Sequence, residues 1–300
     1  MTSSTTPGSP LLELPSPLAV VCHDAGAANL VLAWLEAMPA APCRSVMRGP
    51  AAALAARSVW EASACDTLAQ ALSGAAAVLT GTGWASDLEH KARALARERG
   101  IFSVAVLDHW VNYRERFVRA GATVWPDEFW VADDEALAEA QRCFPGAAIR
   151  RQPNLYQDQL VRAIPDAAQP AVLYLLEPAR SDWGRGEPGE FQALDYFMRH
   201  LAHAGIAAGT PVRLRPHPSD PPGKYDAWLS RHPGTLLDTH ADLAAAIGAA
   251  QWVAGCETAA LPVALAAGRR VVCTLPPWAP ACRLPQRGLI HLKRSVSDHP

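Results

Sequence analysis

The sequence lacks the features of membrane-spanning, secreted and broadly nucleic-acid-binding proteins. It has no run of about 18 apolar residues, the length that a membrane-spanning helix requires. The first basic residue is Arg44, and a secretory signal begins with basic residues, so no signal peptide is predicted. The net charge of -2 at pH 7 excludes the basic surface typical of nucleic-acid-binding domains. Peripheral contact with a membrane surface stays open.

Short motifs for metals and disulfides are also lacking. The 7 cysteines are odd in number and include no C-x-x-C pair, which excludes a disulfide framework and a zinc ribbon and favours a cytoplasmic protein. No Asp-x-Asp, H-x-H or H-E-x-x-H motif occurs. We therefore expect no bound metal and no cofactor other than a co-substrate.

Apolar stretches that end in polar residues alternate with segments of helical spacing. "LAVVCHD" (18–24) is followed by the helical pattern "AGAANLVLAWLEAM", and "AAAVLTGTGW" (75–84) by "LEHKARALARERG". The same alternation resumes at "AVLYLLEP" (171–178) and continues to "RRVVCTLP". The pattern predicts the α/β class, with two Rossmann-like parallel-sheet lobes facing across a cleft.

Proline and polar residues mark the expected domain boundaries. Residues 1–17 are rich in Ser, Thr and Pro and predict a flexible lead-in. The stretch "RAIPDAAQPA" (162–171) predicts a linker between an N-terminal lobe over 18–165 and a C-terminal lobe over 171–300.

Polar clusters follow the predicted strands of both lobes. Because the carboxyl ends of parallel strands meet at one edge, we expect these clusters to line a ligand site. In the N-terminal lobe the candidates for catalysis are His23 and Asp24 in "HDAGAANL" and Asp108 in "VLDHWVNYRERF". Two structural alternatives stay open: Asp24 caps the following helix, or Asp108 pairs with a nearby arginine. The turn after Asp24 is not G-x-G-x-x-G, so a nicotinamide site is not predicted there.

The candidates for ligand binding in the C-terminal lobe follow three predicted strands. Arg215, His217 and Pro218 in "LRPHP" suit contact with a phosphate, because a histidine between prolines has restricted backbone freedom. Glu257 and Thr258 suit ribose and phosphate contacts. A structural turn and a helix cap are the respective alternatives. The loop over 177–190, with Arg180 and Ser181, is expected to cover a ligand.

"LRPHP", followed by "GCETAALPVALAAGRRVV", resembles the nucleotide-binding half of the glycosyltransferase-B superfamily over residues 171–275. The strand-borne His-Pro is similar to that of bacterial sialyltransferases and capsule-type Kdo transferases. The resemblance implies that His217 contacts the CMP part of a donor, with Glu257 and Thr258 in the nucleotide pocket. Sialyltransferases of this kind carry an acidic-acidic-glycine motif, of which Asp108-His109-Trp110 keeps one acid.

These observations predict a metal-independent inverting glycosyltransferase of bacterial surface-glycan synthesis. The expected donor is a CMP-linked nonulosonic or Kdo-type acid, or else a UDP-sugar, and the acceptor is a glycan, a lipid-linked molecule or a protein. A non-hydrolysing UDP-N-acetylhexosamine 2-epimerase and a non-catalytic nucleotide-sugar binder are alternatives. A third is a metal-dependent hydrolase with five candidate ligands: His23, Asp24, Asp108, His109 and His217.

Overall fold

The computed structural model describes residues 14–38, 42–60, 62–166, 169–178, 181–217 and 219–297. The chain divides into two compact units between Tyr156 and Gln157. This division falls inside helix α6 (Leu155–Ala163), and the proline-containing stretch predicted as a linker begins at residue 162. Of the predicted lead-in, only residues 14–17 are among the described residues.

The first unit contains a parallel sheet of seven strands and an antiparallel hairpin. Its strands are β1 (Leu18–Cys22), β2 (Cys43–Met47), β3 (Ser63–Ala64), β4 (Ala77–Thr80), β5 (Phe102–Leu107), the hairpin strands β6 (Val118–Arg119) and β7 (Ala122–Thr123), β8 (Glu128–Val131) and β9 (Ala148–Arg151). Its helices are α1 (Ala25–Glu36), α2 (Gly49–Ala55), α3 (Leu68–Ala71), α4 (Leu88–Glu98) and α5 (Asp134–Cys143), with a 3-10 turn over Glu115–Phe117. The sheet order is β3-β2-β1-β4-β5-β8-β9.

The central strands β1, β4 and β5 are buried, apart from the exposed Phe102 at the start of β5. Successive side chains of a strand point to opposite faces, so β1 contributes Val20 to one core cluster and Val21 to another. The first cluster packs under α1, where Trp34 meets Trp130 edge to face. The second packs under α3 and α4. Helices on both faces explain why these strands are continuous apolar runs.

The second unit repeats this architecture with six strands. They are β10 (Val172–Leu175), β11 (Val212–Arg215), β12 (Thr235–Leu237), β13 (Trp252–Gly255), β14 (Arg270–Cys273) and β15 (Ile290–His291), all parallel in the order β12-β11-β10-β13-β14-β15. The helices are α7 (Gly189–Arg199), α8 (Asp226–Leu229), α9 (Leu243–Gly248), α10 (Ala260–Ala266) and α11 (Leu292–Ser297), with a 3-10 turn over Leu201–Ala204. Tyr174, Phe197 and Trp228 are buried in its core.

Each sheet has one point at which the order of strand addition reverses. In the first unit the chain adds β2 and β3 on one side of β1 and then returns to add β4 on the other side. In the second unit it adds β11 and β12 beside β10 and then returns to β13. Such reversal points open a crevice at the carboxyl ends of the two central strands. The predicted α/β class with two parallel sheets is confirmed. Across the described residues, no helix has the length and apolar character needed to cross a bilayer.

Candidate functional site

The carboxyl end of β1 carries a hydrogen-bonded His–Asp pair at the reversal point of the first unit. The Nδ1 atom of His23 lies 2.7 Å from Oδ1 of Asp24, and the two side chains are 19% and 27% exposed. The other carboxylate oxygen of Asp24 accepts the backbone N–H of Trp84 at 3.0 Å. Asp24 occupies the N-cap position of α1, but its side chain makes no cap hydrogen bond. The carboxylate therefore orients an imidazole at the strand end.

A buried glutamate from α4 ties together the ends of β1 and β4. Glu89 accepts the backbone N–H of His23 with one oxygen and that of Gly83 with the other, each at 3.0 Å. Burial raises the pKa of this carboxyl, while its two backbone donors and Arg93 lower it. Arg93, 1% exposed, donates to the Thr80 hydroxyl at 3.0 Å. The backbone donors at this reversal point are thus already used by a carboxylate.

Sequence reasoning missed Glu89 and Arg93. Both lie in "LEHKARALARERG", whose charged residues suggest a solvent-exposed helix. The available signal was their spacing, because residues four apart share one helix face and Ala92 and Ala96 lie on that buried face.

Asp108, at the end of β5, forms an ion pair with an arginine of its own loop. Its Oδ1 lies 2.8 Å from Nη1 of Arg116, which also contacts the hydroxyl of Thr82 at 3.3 Å. Tyr113 is buried among aromatic side chains, and Trp110 donates its ring N–H to Asp133 at 3.0 Å. The pairing of Asp108 with a nearby arginine is the alternative that the sequence left open. The catalytic role of Asp108 stays a prediction.

Four glycines allow these polar side chains to approach the backbone. A Cβ on Gly26 would lie 1.8 Å from Oδ2 of Asp108, and one on Gly83 would lie 2.1 Å from Oδ2 of Asp24. A Cβ on Gly81 would meet Glu89 at 2.4 Å. Gly49, with φ +51°, would place its Cβ 2.6 Å from Nε2 of His23. Each of these distances is shorter than a normal Cβ contact, so an alanine at any of the four positions requires the facing carboxylate or imidazole to move.

Trp84, whose backbone N–H binds Asp24, has a half-exposed ring that lies near the guanidinium groups of Arg116 and Arg119. Its side chain is 50% exposed, and the guanidinium of Arg119 lies 5.5 Å from the ring centroid. Arg119 also donates to the carbonyl of Gly83 at 2.6 Å. Exposed aromatic faces next to hydrogen-bonding groups are suited to bind sugar rings.

The reversal point of the second unit contains two glutamates and an arginine. Glu177, after β10, accepts the backbone N–H of Glu257, after β13, at 2.7 Å. Burial, together with the charge of Glu257, raises the pKa of Glu177 to about 7. Arg283 forms an ion pair with Glu257 and also donates its backbone N–H to that carboxylate at 3.1 Å.

Thr258 and Ser181 are engaged in local hydrogen bonds. Helix α10 begins at Ala260, and the Thr258 hydroxyl lies at the limit of hydrogen bonding, 3.4 Å from the N–H of that residue. The Ser181 hydroxyl accepts the N–H of Trp183 at 3.0 Å. Arg180 and Pro218, both predicted to contact the ligand, lie outside the described residues.

The two polar residues predicted at the end of β11 differ in their surroundings. Arg215 pairs with the buried carboxylate of Asp238 at 2.5 Å, which fixes its guanidinium, while the Arg215 side chain remains 25% exposed. His217 is exposed, and its Nδ1 lies 2.7 Å from the hydroxyl of Ser219. Its backbone N–H donates to Asp220 at 3.0 Å. The imidazole therefore sits on a fixed turn and is accessible to a ligand.

Within each unit, some of the predicted site residues are in contact with one another and others are not. His23 and Asp24 are in direct contact, and Asp108 lies against Gly26 two residues further on. No three of the hydrolase candidates are among the groups of close metal-ligating atoms found in the described part of the chain. Such a group does occur elsewhere, at Cys273, Cys282 and His291.

No family model matches the chain, and no curated protein matches it in sequence. Solved structures do resemble it in fold. UDP-GlcNAc 2-epimerase from Neisseria meningitidis, bound to UDP-GlcNAc, matches with a TM-score of 0.61 and 11% identity over 94% of this chain and 90% of its own. A Listeria monocytogenes protein assigned as a UDP-N-acetylglucosamine 2-epimerase matches with a TM-score of 0.62 and 15% identity over 93% and 87%. A further UDP-N-acetylglucosamine 2-epimerase gives 0.54 and 11% over 85% and 77%. At these identities the similarity shows the fold alone.

Proposed function

We propose that the protein is a nucleotide-sugar enzyme that transfers a sugar to an acceptor hydroxyl without a metal ion. The observation that carries the proposal is the His23–Asp24 pair at the reversal point of the first unit, whose carboxylate also accepts the backbone N–H of Trp84. A base oriented by a carboxylate is what activation of an acceptor hydroxyl requires.

His23 acts as the general base in this proposal. With the Nδ1 proton donated to Asp24, the lone pair of the imidazole is on Nε2, which takes the proton of the acceptor hydroxyl. The hydroxyl oxygen forms a bond to the anomeric carbon of the donor as the bond from that carbon to the phosphate oxygen breaks. The nucleotide leaves with the bonding electron pair, and the anomeric configuration inverts. Asp108, which pairs with Arg116 and packs against Gly26, is the alternative candidate for the base.

The second unit binds the donor in this proposal. His217 is the first candidate for contact with the departing phosphate, because its ring is exposed on a turn fixed by Asp220. Arg215 contributes positive charge from its pair with Asp238. Glu257 and Thr258 lie at the end of β13, where they suit the ribose and phosphate of a nucleotide. A CMP-linked nonulosonic or Kdo-type acid is the proposed donor, and a UDP-sugar is the next candidate.

A thermal-shift panel of CMP, CDP, UDP, GDP and dTDP tests the donor assignment, because a ligand that binds the native state raises the unfolding temperature. We expect selective stabilisation by CMP, lost in His217→Ala. A glycan-acceptor assay then tests the chemistry: His23→Gln lowers kcat by about 10²- to 10⁴-fold while the CMP shift remains. The exposed His203→Gln serves as control and retains full activity. A chain that responds to no nucleotide overturns the proposal.

Epimerisation of a UDP-N-acetylhexosamine is the second candidate, favoured by the fold similarity along 85% to 94% of the chain. The two reactions differ in their need for an acceptor. Release of free nucleotide only in the presence of acceptor identifies transfer, and conversion of UDP-N-acetylglucosamine without acceptor identifies epimerisation. Nucleotide binding without turnover of either kind identifies a non-catalytic binder.

A further inference from the structure

Two cysteines and a histidine converge at the carboxyl edge of the second sheet. Cys273 is the last residue of β14, and the parallel register of β14 and β15 places His291 opposite it. Cys282 lies in the segment 274–289 that connects these two strands. The two sulfur atoms and one imidazole nitrogen all lie within 4.8 Å of one another. Three potential metal ligands that are separated in the sequence are thus close together in space.

The donor set has the chemistry of a zinc site. Thiolate sulfur and imidazole nitrogen are the ligands that Zn²⁺ takes most often in proteins. Tetrahedral coordination at the usual Zn–S and Zn–N distances places such ligand atoms about 3.5 to 3.8 Å apart. The ligand atoms present here, within 4.8 Å of one another, therefore need to approach by about 1.3 Å at most.

The three side chains differ in burial. Cys273 is buried, and its thiol donates to the carbonyl of Cys256 at 3.1 Å, so a metal that binds this sulfur displaces the thiol proton. Cys282 and His291 are partly buried.

We propose that Cys273, Cys282 and His291 form a binding site for Zn²⁺, with the fourth coordination position open to solvent. Cys282 and His291 are only partly buried, so water reaches this side of the site. The proposal is independent of the glycosyl-transfer mechanism, in which no metal takes part.

The site links two parts of the second unit. Cys282 immediately precedes Arg283, whose side chain and backbone N–H both bind Glu257 at the end of β13. A metal on Cys282 fixes the connecting segment and holds this arginine against the glutamate. The bound ion therefore stabilises the carboxyl edge of the sheet at β13, β14 and β15.

Binding of Co²⁺ to the full-length chain in the presence of a phosphine reductant tests the site. Tetrahedral cobalt with thiolate ligands shows a sulfur-to-cobalt charge-transfer band and intense visible bands, and Zn²⁺ added afterwards should displace it at one equivalent. We expect Cys282→Ser and His291→Gln to weaken Co²⁺ and Zn²⁺ binding by at least about 100-fold, more than the loss of an outer-shell contact produces. Both residues are partly exposed, so the variants should fold, as circular dichroism will check.

Cys65→Ser is the matched control, because Cys65 is a partly buried cysteine of the other unit. It should bind cobalt with the affinity and spectrum of the unaltered chain. The proposal is overturned by a weak octahedral cobalt spectrum, by equal affinities of the Cys282→Ser and Cys65→Ser variants, or by a Cys273–Cys282 disulfide that persists with reductant and leaves the metal unbound.

Discussion

Single carboxylates at the two reversal points accept backbone N–H groups at the strand ends. Glu89 accepts two such groups in the first unit, and Glu177 accepts one in the second. In both carboxyls burial is the main cause of a raised pKa. Because the ionised form is disfavoured by burial and favoured by these hydrogen bonds, each carboxylate is sensitive to what binds beside it.

Glu177 gives the free energy of unfolding a defined pH dependence. Its pKa is about 7 in the folded chain and near 4.5 when unfolded, so the folded state binds more protons between these two values. Stability contributed by this group is therefore lost as pH rises from about 4.5 to 7. Glu177→Gln keeps an acceptor for the N–H of Glu257 but cannot titrate. We expect the free energy of unfolding of this variant, measured by urea titration, to fall by about 2 to 3 kcal/mol less between pH 4.5 and 7 than that of the unaltered chain.

The exposed Glu98→Gln is the control for this titration and should leave the pH dependence unchanged. If Glu177→Gln and the unaltered chain lose stability in parallel from pH 4.5 to 7, the assignment to Glu177 is wrong.

Sequence position identified some residues of the site and could not identify others. His23 and Asp24 follow an apolar run directly, so the carboxyl-edge rule for parallel strands placed them correctly at a strand end. Asp238 and Arg283 come from connections whose path depends on packing, and no local pattern predicts that they bind Arg215 and Glu257. These ion pairs determine how accessible Arg215 and Glu257 are to a ligand, and they could not be predicted from the sequence.

The connection between β11 and α8 is held by one buried carboxylate. Asp220, whose side chain is 2% exposed, accepts the N–H of His217 and the hydroxyl of Tyr225, each at 3.0 Å. It also pairs with Lys224 at 2.6 Å, and this lysine pairs with the buried Glu190 at 2.7 Å. The turn that presents His217 is thus fixed from beneath by a charged network.

Replacing this carboxylate should loosen the turn as well as destabilise the unit. We expect Asp220→Ala to lower the free energy of unfolding by about 2 to 4 kcal/mol, since it removes one partner of a buried charge network. Hydrogen exchange at the amide of His217 should accelerate. Asp242→Ala removes only the cap of α9 and should cost about 1 kcal/mol, with exchange at His217 unchanged. Equal effects of the two variants would contradict this role for Asp220.

Long apolar runs were predictable as elements, and short polar ones were not. The strands β1, β4 and β5 coincide with runs visible in the sequence. The segment 43–71 holds β2, α2, β3 and α3, which the periodicity does not reveal, because β3 has 2 residues and α3 has 4. Helix α8 is only Asp226–Leu229, although the helical spacing of the sequence extends over "KYDAWLSRH". Elements of this length owe their conformation to neighbouring strands and caps.

At the scale of the whole molecule, the alternation of strands and helices was sufficient to predict two parallel sheets. The order of strands within each sheet was not predicted, because edge strands such as β3 and β15 are 2 residues long. Contacts that depend on this order, including the pairing of Cys273 with His291, were consequently absent from the sequence analysis.

Residues ahead of β10 belong to the packing of the second unit. Ile164 is buried, Pro165 lies against Gly248, and Arg269 donates to the carbonyls of Pro165 and Asp166. We expect a fragment of residues 157–300 to unfold cooperatively and to be more stable than a fragment of 171–300 by about 1 to 3 kcal/mol in urea, because the shorter one loses these contacts.

Arg269→Gln in the longer fragment removes the two hydrogen bonds to this segment. It should therefore lower the stability of the longer fragment and make the difference between the two fragments smaller. Identical urea midpoints for the two fragments would show that 164–166 contribute nothing to the unit.

Gly26, Gly49, Gly81 and Gly83 surround the polar cluster of the first unit in a chain that uses alanine freely for small positions. At each of them one additional methyl group would overlap a carboxylate or an imidazole. The arrangement of the cluster therefore depends on the lack of side chains at these glycines. Adding one carbon there should disturb the molecule more than many larger replacements on its surface.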